Sequence, residues 1–291
     1  MSGVNTNRTN ISLPGSVASE IIQKTQDDSA IMKLATKINL PGRGLTIPVI
    51  TSDPTAAWVN ETDAKPASNP GLSTKLMKGY TVSIIELFSN QFKRDDATLY
   101  NALVKRLPLA LAKKFDETVF GNGDAPGDNF DTFAACTQQS LSSDAYDGLV
   151  AADTNVALNG GIVNGYAITP QMRSILLSAK DKNDRPLFIN SVADGAIPMI
   201  LGQPTYMSRA AYVSGSPHVV GVAGDWTKAM YGVVEGVDVS ISTDATITLP
   251  DTTVINLFQR NMFAVRAEME IGFVAQTEMF NLLTASTVPS I

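Results

Sequence analysis

The side chains able to do chemistry are few in this sequence, and their spacing sets what each could do. The only histidine, His218, stands in GSPH at residues 215–218, two positions after Ser216. A serine and a histidine are parts of an acyl-transfer nucleophile, but such triads converge from distant parts of a chain, not from neighbours. His218 therefore reads as an exposed loop histidine. The only cysteine, Cys136, has no thiol partner for a disulfide or a thiolate metal cluster and reads as a small, partly buried hydrophobe. Carboxylates fall in two groups: Asp124, Asp128 and Asp131 around one loop, and Asp144, Asp147 and Asp153 among serine, tyrosine and glycine. Calcium wants several oxygen ligands at once, yet neither group has the spacing of a known calcium loop, so both read as solvated turns. Glu268 and Glu270 share one strand face, and Arg266 beside them makes a charge lattice the better reading than an acid/base pair. The chain has no GxSxG elbow, P-loop, HExxH or strand-borne GxGxxG. The glycine runs NGGIVNG and GNGDAPG lack the lysine or helix context that cradles phosphate, and read as turns. No enzyme, no cofactor and no metal is expected.

The totals point the same way. A chain of 291 residues, 44% hydrophobic and 17% charged, can bury a sizeable core and holds two domains or one with extensions. Its net charge of −6, without any dense lysine or arginine run, argues against tight nucleic-acid binding, which needs cations to neutralise phosphates. Being near DNA without gripping it stays open. No apolar run reaches the length of a membrane span, and the first twenty residues lack a signal-peptide hydrophobic region. A protein made and kept in the cytoplasm is expected.

Few reactive groups shift attention to the elements. Residues 1–13 are polar and rich in asparagine and threonine, and predict a mobile arm. A short helix is expected at residues 16–24, an extended segment at 29–38, and a strand at 45–50 (LTIPVI). Pro48 in that strand cannot donate to a ladder, so the strand belongs at an edge. Residues 75–87 predict one long return strand of roughly 43 Å at ~3.3 Å per residue, and together the two make a hairpin reaching far from any body. An isolated hairpin is marginal in water, so it should lean on another subunit. Residues 96–120 predict the strongest helix, with Leu99, Leu103, Leu107, Leu111 and Phe115 on one face and Gly121 as the stop. Pro108 in its middle should kink or split it. Thr169 and Pro170 predict an N-cap and first turn, with Met172, Ile175, Leu176 and Ala179 inward. HVVGVAGDW, AMYGVVEG, VDVSIS and TITL read as strands with glycine turns. Residues 257–273 return to a long strand, and 277–283 form a short helix or extension. Within the return strand, NMFAVRAEMEIGF alternates: Phe263, Val265, Ala267, Met269, Ile271 and Phe273 fall on one face, and Arg266, Glu268 and Glu270 on the other.

In this order the segments resemble the major capsid proteins of tailed phages with the Hong Kong 97-type fold, over about 270 residues. LPGSVASEIIQKTQDDSAIMKLATKINL is similar to the family's N-terminal arm and its lead into the E-loop. The segment from LTIPVI to FSNQFKRDD, holding Trp58, Glu61 and Pro66, is similar to the E-loop. ATLYNALVKRLPLALAKKFDETVFGNGDAPG is similar to the spine helix, with Asp116, Gly121 and Gly123 in its closing motif. ITPQMRSILLSAKDKNDRPLF resembles the A-domain helix and the loop after it, while GDW and the closing NLFQRNMFAVRAEMEIGFVAQTEMFNLLT resemble the return to the P-domain.

That resemblance implies an α+β fold divided as N-terminal arm 1–44, E-loop 45–88, P-domain spine helix 89–130, A-domain 131–254, and P-domain return strand with C-terminus 255–291. It implies a structural protein that self-assembles into hexamers and pentamers of an icosahedral shell enclosing DNA without sequence-specific binding. Portal protein and a separate scaffolding protein are the further partners, no membrane is involved, and assembly takes place in the host bacterial cytoplasm. With Met1 just ahead of the arm, no fused scaffolding segment is expected. Trp58, Glu61, Asp63, Lys65, Lys75 and Lys78 on the hairpin, with Arg266, Glu268 and Glu270 on the return strand, are the expected contacts between subunits, and Pro108 is the candidate hinge. Some members join an E-loop lysine to a neighbour's asparagine; Lys65 or Lys75 would be the amine, although no such crosslink is expected here. An encapsulin-type compartment around a cargo enzyme is the alternative, but the arm rich in asparagine and threonine does not resemble a cargo-binding helix.

Overall fold

The computed structural model describes residues 29–52, 55–61, 64–65, 67, 71–90, 96–181, 183–188 and 199–287. The expected arm and the helix at residues 16–24 lie outside the described residues. In chain order, helix α1 (Ala30–Leu34) leads into strand β1 (Thr36–Asn39), strands β2 (Leu45–Ser52) and β3 (Gly71–Met77), strand β4 (Tyr80–Ser89) and the long helix α2 (Asp96–Val119). Strand β5 (Thr137–Ser140), helix α3 (Ala145–Leu158), strand β6 (Gly165–Ile168) and helix α4 (Pro170–Ser178) follow. Then come β7 (Met199–Ile200), β8 (Gln203–Met207), β9 (His218–Gly224), β10 (Ala229–Ser242), β11 (Thr246–Thr248), β12 (Val254–Asn256), β13 (Met262–Ala275) and β14 (Phe280–Ala285).

A four-stranded sheet has the order β1-β10-β13-β4, and a six-stranded sheet the order β5-β14-β9-β6-β8-β7. Strands β2 and β3 pair only with each other, and so do β11 and β12. Pro48 therefore sits in a two-stranded ladder, where every strand is an edge. Sheet membership cuts across the expected segment boundaries. Strand β10, within residues 131–254, pairs with β13, while β14, within 255–291, pairs with β5 and β9.

Strand β13 explains why the two sheets hold together. Its odd-numbered residues from Phe263 to Phe273 are all buried, as the alternation predicts, and face the helix α2. Phe273 meets Phe115 of α2 edge to face at 6.3 Å, and also contacts Phe130 and Phe133. Phe133 in turn packs on Trp226 and on Phe280 of β14, so a single aromatic cluster joins the four-stranded sheet, α2 and the six-stranded sheet. Each phenylalanine buried there stabilises the fold by about 1.5–3 kcal/mol. A second core, under α3 and α4, covers the other face of the six-stranded sheet with Leu149, Val156, Met172 and Leu176.

Several expectations need correction. Residues 29–38 are not extended throughout: the Ser29 side chain accepts from the Met32 amide and starts α1 before β1 begins. Residues 75–87 are not one strand, because the chain breaks at residues 78–79 between β3 and β4. A Cβ on Gly79 would lie 2.6 Å from Glu270 Oε1 and from Val234 Cγ2, so the backbone crosses there too closely for a side chain. AMYGVVEG and VDVSIS form the single strand β10, whose register with β13 shifts on either side of Glu235. The long return strand starts at Met262, not residue 257. Residues 277–279 make a short 3-10 turn, and the segment after it is the fully buried strand β14, inside the six-stranded sheet.

Helix α2 runs unbroken from Asp96 to Val119 with Pro108 inside it, so the proline does not split it. Leu107, Leu111 and Phe115 are buried as their spacing predicts, and Gly121 at φ +86° ends the helix against Ala134. Thr169 caps α4 by accepting from the Met172 amide, with Pro170 in the first turn.

Candidate assembly surfaces

The hairpin β2–β3 shares no ladder with either sheet; Ile47 and Met77 near its base pack with Leu40 and with Val274 of β13, while its far end is exposed. Trp58 is fully exposed, and Glu61 and Lys65 are exposed, the Lys65 Nζ donating to the Glu61 carbonyl at 3.4 Å. An indole normally buries 150–250 Å² when it has a partner; here it has none among the described residues. Asp63 lies outside the described residues. Lys78, at the base of the hairpin, is exposed.

Lys75 behaves differently from its expected role. Its Nζ donates to Asp131 Oδ2 and to the Ala275 carbonyl, both at 2.8 Å, while Asp131 Oδ2 also accepts from the Ala275 amide at 3.0 Å. The ammonium turns inward to its own chain and ties the hairpin base to the end of β13. Half-buried as both groups are, this pair is worth more than a fully exposed bridge but is still screened in part. Asp131, expected in a solvated loop, thus has a structural partner. Cys136 lies buried close by, and burial, with Asp131 adding to it, pushes its thiol up to about 12, so it stays protonated.

On β13 the even-numbered side chains face away from α2. Arg266 Nη2 lies 3.3 Å from Glu268 Oε2 on this partly exposed face. Glu268 stands opposite Asp238 of β10, and Glu270 lies at the close crossing with Gly79. Like charges directly opposite on neighbouring strands repel, so the face is acidic with one cation at its edge. The structure brings Arg266, Glu268 and Glu270 together as one patch, and does not bring the hairpin tip to it within one chain.

Asp116, named in the sequence only as part of the spine-helix closing motif, has a structural role that was not expected. It lies in the buried row of α2, and its carboxylate accepts from Ser29 Oγ at 2.5 Å, from the Ala30 amide at 2.9 Å and from Ser208 Oγ at 3.3 Å. One carboxylate thus ties α1, α2 and the loop after β8 together. Burial raises its pKa to about 6 against the pull of those hydrogen bonds. The signal was present in the sequence: an acid flanked by Ala112, Phe115, Val119 and Phe120 needs a buried partner.

Of the residues weighed for catalysis or metal binding, His218 and Asp144 have structural partners. His218 Nδ1 shares a hydrogen bond with Tyr212 Oη at 3.0 Å, and the two rings stack. Asp144 is not in a loop but caps α3, accepting from the Tyr146 amide at 2.8 Å, and Asp147 and Asp153 are exposed on that helix. Among the described residues no cluster of histidine, cysteine or carboxylate side chains could hold a metal ion. No described helix is long and apolar enough to cross a membrane.

The chain is thus a two-sheet α+β body with a hairpin that is anchored at its base and exposed at its far end, and with exposed apolar and charged surfaces. The family model for the Phage capsid family matches residues 10–284, and the chain belongs to that family. It is 27% identical over 278 residues to the probable major capsid protein gp17 of Mycobacterium phage L5, covering 88% of this chain and 83% of that protein. It is 21% identical over 261 residues to the major capsid protein of Staphylococcus phage 80alpha, covering 87% and 78%. Among solved structures, one from Mycobacterium phage Bobi aligns with a TM-score of 0.72 at 18% identity, covering 99% of this chain and 95% of that one. One from Microbacterium phage Oxtober96 aligns with 0.71 at 19% identity, covering 98% and 95%.

Proposed function

We propose that the chain is the major capsid protein of a tailed bacteriophage and forms the hexamers and pentamers of an icosahedral shell around packaged DNA. The observation that carries this reading is the family match over nearly the whole chain, residues 10–284. On this reading the four-stranded sheet with α2 is the P-domain and spine helix of a Hong Kong 97-type fold, the six-stranded sheet with α3 and α4 is the A-domain, and the β2–β3 hairpin is the E-loop. The hairpin's exposed tip, with Trp58 and Lys65, then lies on a neighbouring subunit, while Lys75 sets its angle. The acidic face of Glu268, Glu270 and Asp238 offers a neighbour's cations a partner and is unsuited to gripping phosphate. Symmetry repeats every such contact around the shell, so individually weak pairs count many times over. Portal protein and a separate scaffolding protein complete assembly in the host cytoplasm.

Negative-stain microscopy of the chain expressed alone tests the reading. Closed shells or ring-shaped capsomers are the expected result, and only 31.0 kDa monomers at high concentration would overturn it.

A further inference from the structure

The six-stranded sheet carries apolar surface at two opposite places. Helix α3 packs over the β5, β14 and β9 half of the sheet. Its outer side presents Tyr146, Val150 and Leu158, spaced by four and eight residues and so on one side of the helix; Leu158 is 83% exposed. Ile162, just beyond the helix, is 74% exposed. At the other edge of the same sheet, the β7–β8 hairpin presents Met199, Leu201 and Met207, at 58%, 41% and 55% exposure.

Leu201 stands out in its backbone. Ile200 pairs with Gln203, so Leu201 and Gly202 form a two-residue turn, with φ of +48° and +78°. Such turns favour asparagine followed by glycine, because a residue with a Cβ is strained at positive φ. A leucine there carries a conformational cost and also exposes its side chain. Both are explained if the leucine is buried against something else.

Charge separates the two surfaces as well. Between residues 141 and 168 the chain has Asp144, Asp147 and Asp153 and no lysine or arginine. Residues 199–213 carry Arg209 and no acid. Closed rings of five or six copies require two different patches that fit each other, because a self-complementary patch closes only pairs.

Resting on the capsid reading above, we propose that the outer side of α3 in one copy packs against the β7–β8 hairpin of the next, with Leu201 as its apolar anchor, and that this head-to-tail contact closes the capsomer ring. The Asp147 and Asp153 side of α3 faces the Arg209 side of the hairpin, which sets the register.

The first test is Leu201→Asn. It relieves the turn, so the subunit's thermal midpoint holds or rises, while losing one leucine's burial raises the concentration needed for assembly about tenfold. A purely local role for Leu201 predicts the stability gain without the assembly loss, and that result would overturn the proposal. The second test uses Val150→Cys with Met199→Cys and a short bismaleimide, the one native cysteine, Cys136, being buried. Assembled particles of the double variant should give a ladder reaching five and six chains, and each single variant should give none. Dimers from Val150→Cys alone mean a two-fold contact and sink the idea. Intact shells without a ladder also sink it while leaving the capsid reading standing; an unaltered chain that stays monomeric removes both.

Discussion

At the scale of single residues, buried polar groups separate from surface charges by what surrounds them. Asp116 is buried with its pKa raised to about 6 from an ordinary value of 3.8. A folded-state value above the unfolded one means that the native state holds the proton more tightly. Its contribution to stability is therefore fully present below about pH 4 and is lost as pH rises through 6. The size is on the order of 3 kcal/mol. Asp116→Asn keeps an acceptor for the Ala30 amide, and its amide nitrogen can donate to Ser29 Oγ where the carboxylate accepted from it, so the variant should fold with a flatter stability profile between pH 4 and 6 than the parent. Denaturant melts across that range check it, and an unchanged slope would show that the carboxyl does not titrate there. On β13, Met269 is buried and Glu268 is on the partly exposed face. Met269→Asp places an unpaired charge in the core, at a cost of several kcal/mol, and should yield no soluble assembling protein. Glu268→Gln should change assembly little, as read by the particle yield in light scattering.

At the scale of elements, the hairpin and α2 are the parts whose placement matters most. The hairpin's base is pinned by Lys75 to Asp131 and to the Ala275 carbonyl. Lys75→Met removes the pin while keeping most of the side-chain volume, so amides of β2 and β3 should exchange hydrogen faster while those of β13 hold. Equal exchange in both would mean that the pair does not restrain the hairpin. In α2, Pro108 lacks the amide that would bond one turn back, and a proline inside a helix costs about 3 kcal/mol relative to alanine. We propose it as the point where this helix bends when a shell changes size. Pro108→Ala should raise the subunit's thermal midpoint and narrow the change in particle diameter between early and mature shells. An unaltered diameter change would reduce Pro108 to a local feature.

At the scale of the whole molecule, assembly by non-covalent contacts is expected to suffice. Lys75 is engaged within its own chain, and Lys65 donates to the carbonyl of Glu61. Shells boiled in detergent should therefore run as a single band at 31.0 kDa, and a ladder above it would show a covalent link between subunits.

Periodicity settled much of this architecture from residues alone, because burial repeats every two positions on a strand and every three to four on a helix. That is why β13, α2 and the capped start of α4 were legible; the shell-building family came instead from the resemblance of the segments, in their order, to known capsid proteins. Local pattern also carried the exposed hairpin, since Pro48 bars a central strand. What only the tertiary structure decided are contacts between residues far apart in the chain. The neighbours of Asp116 show that it needs a buried partner but not that the partner is Ser29, and the pairing of Lys75 with Ala275 and the close crossing that demands Gly79 leave no mark on neighbouring positions. The helix α3 hid behind three aspartates that resembled a loop, and β10 behind glycines that resembled turns. In each case packing against a distant sheet outweighed local preference, because a long-range contact is paid for by burial that no short window of sequence contains.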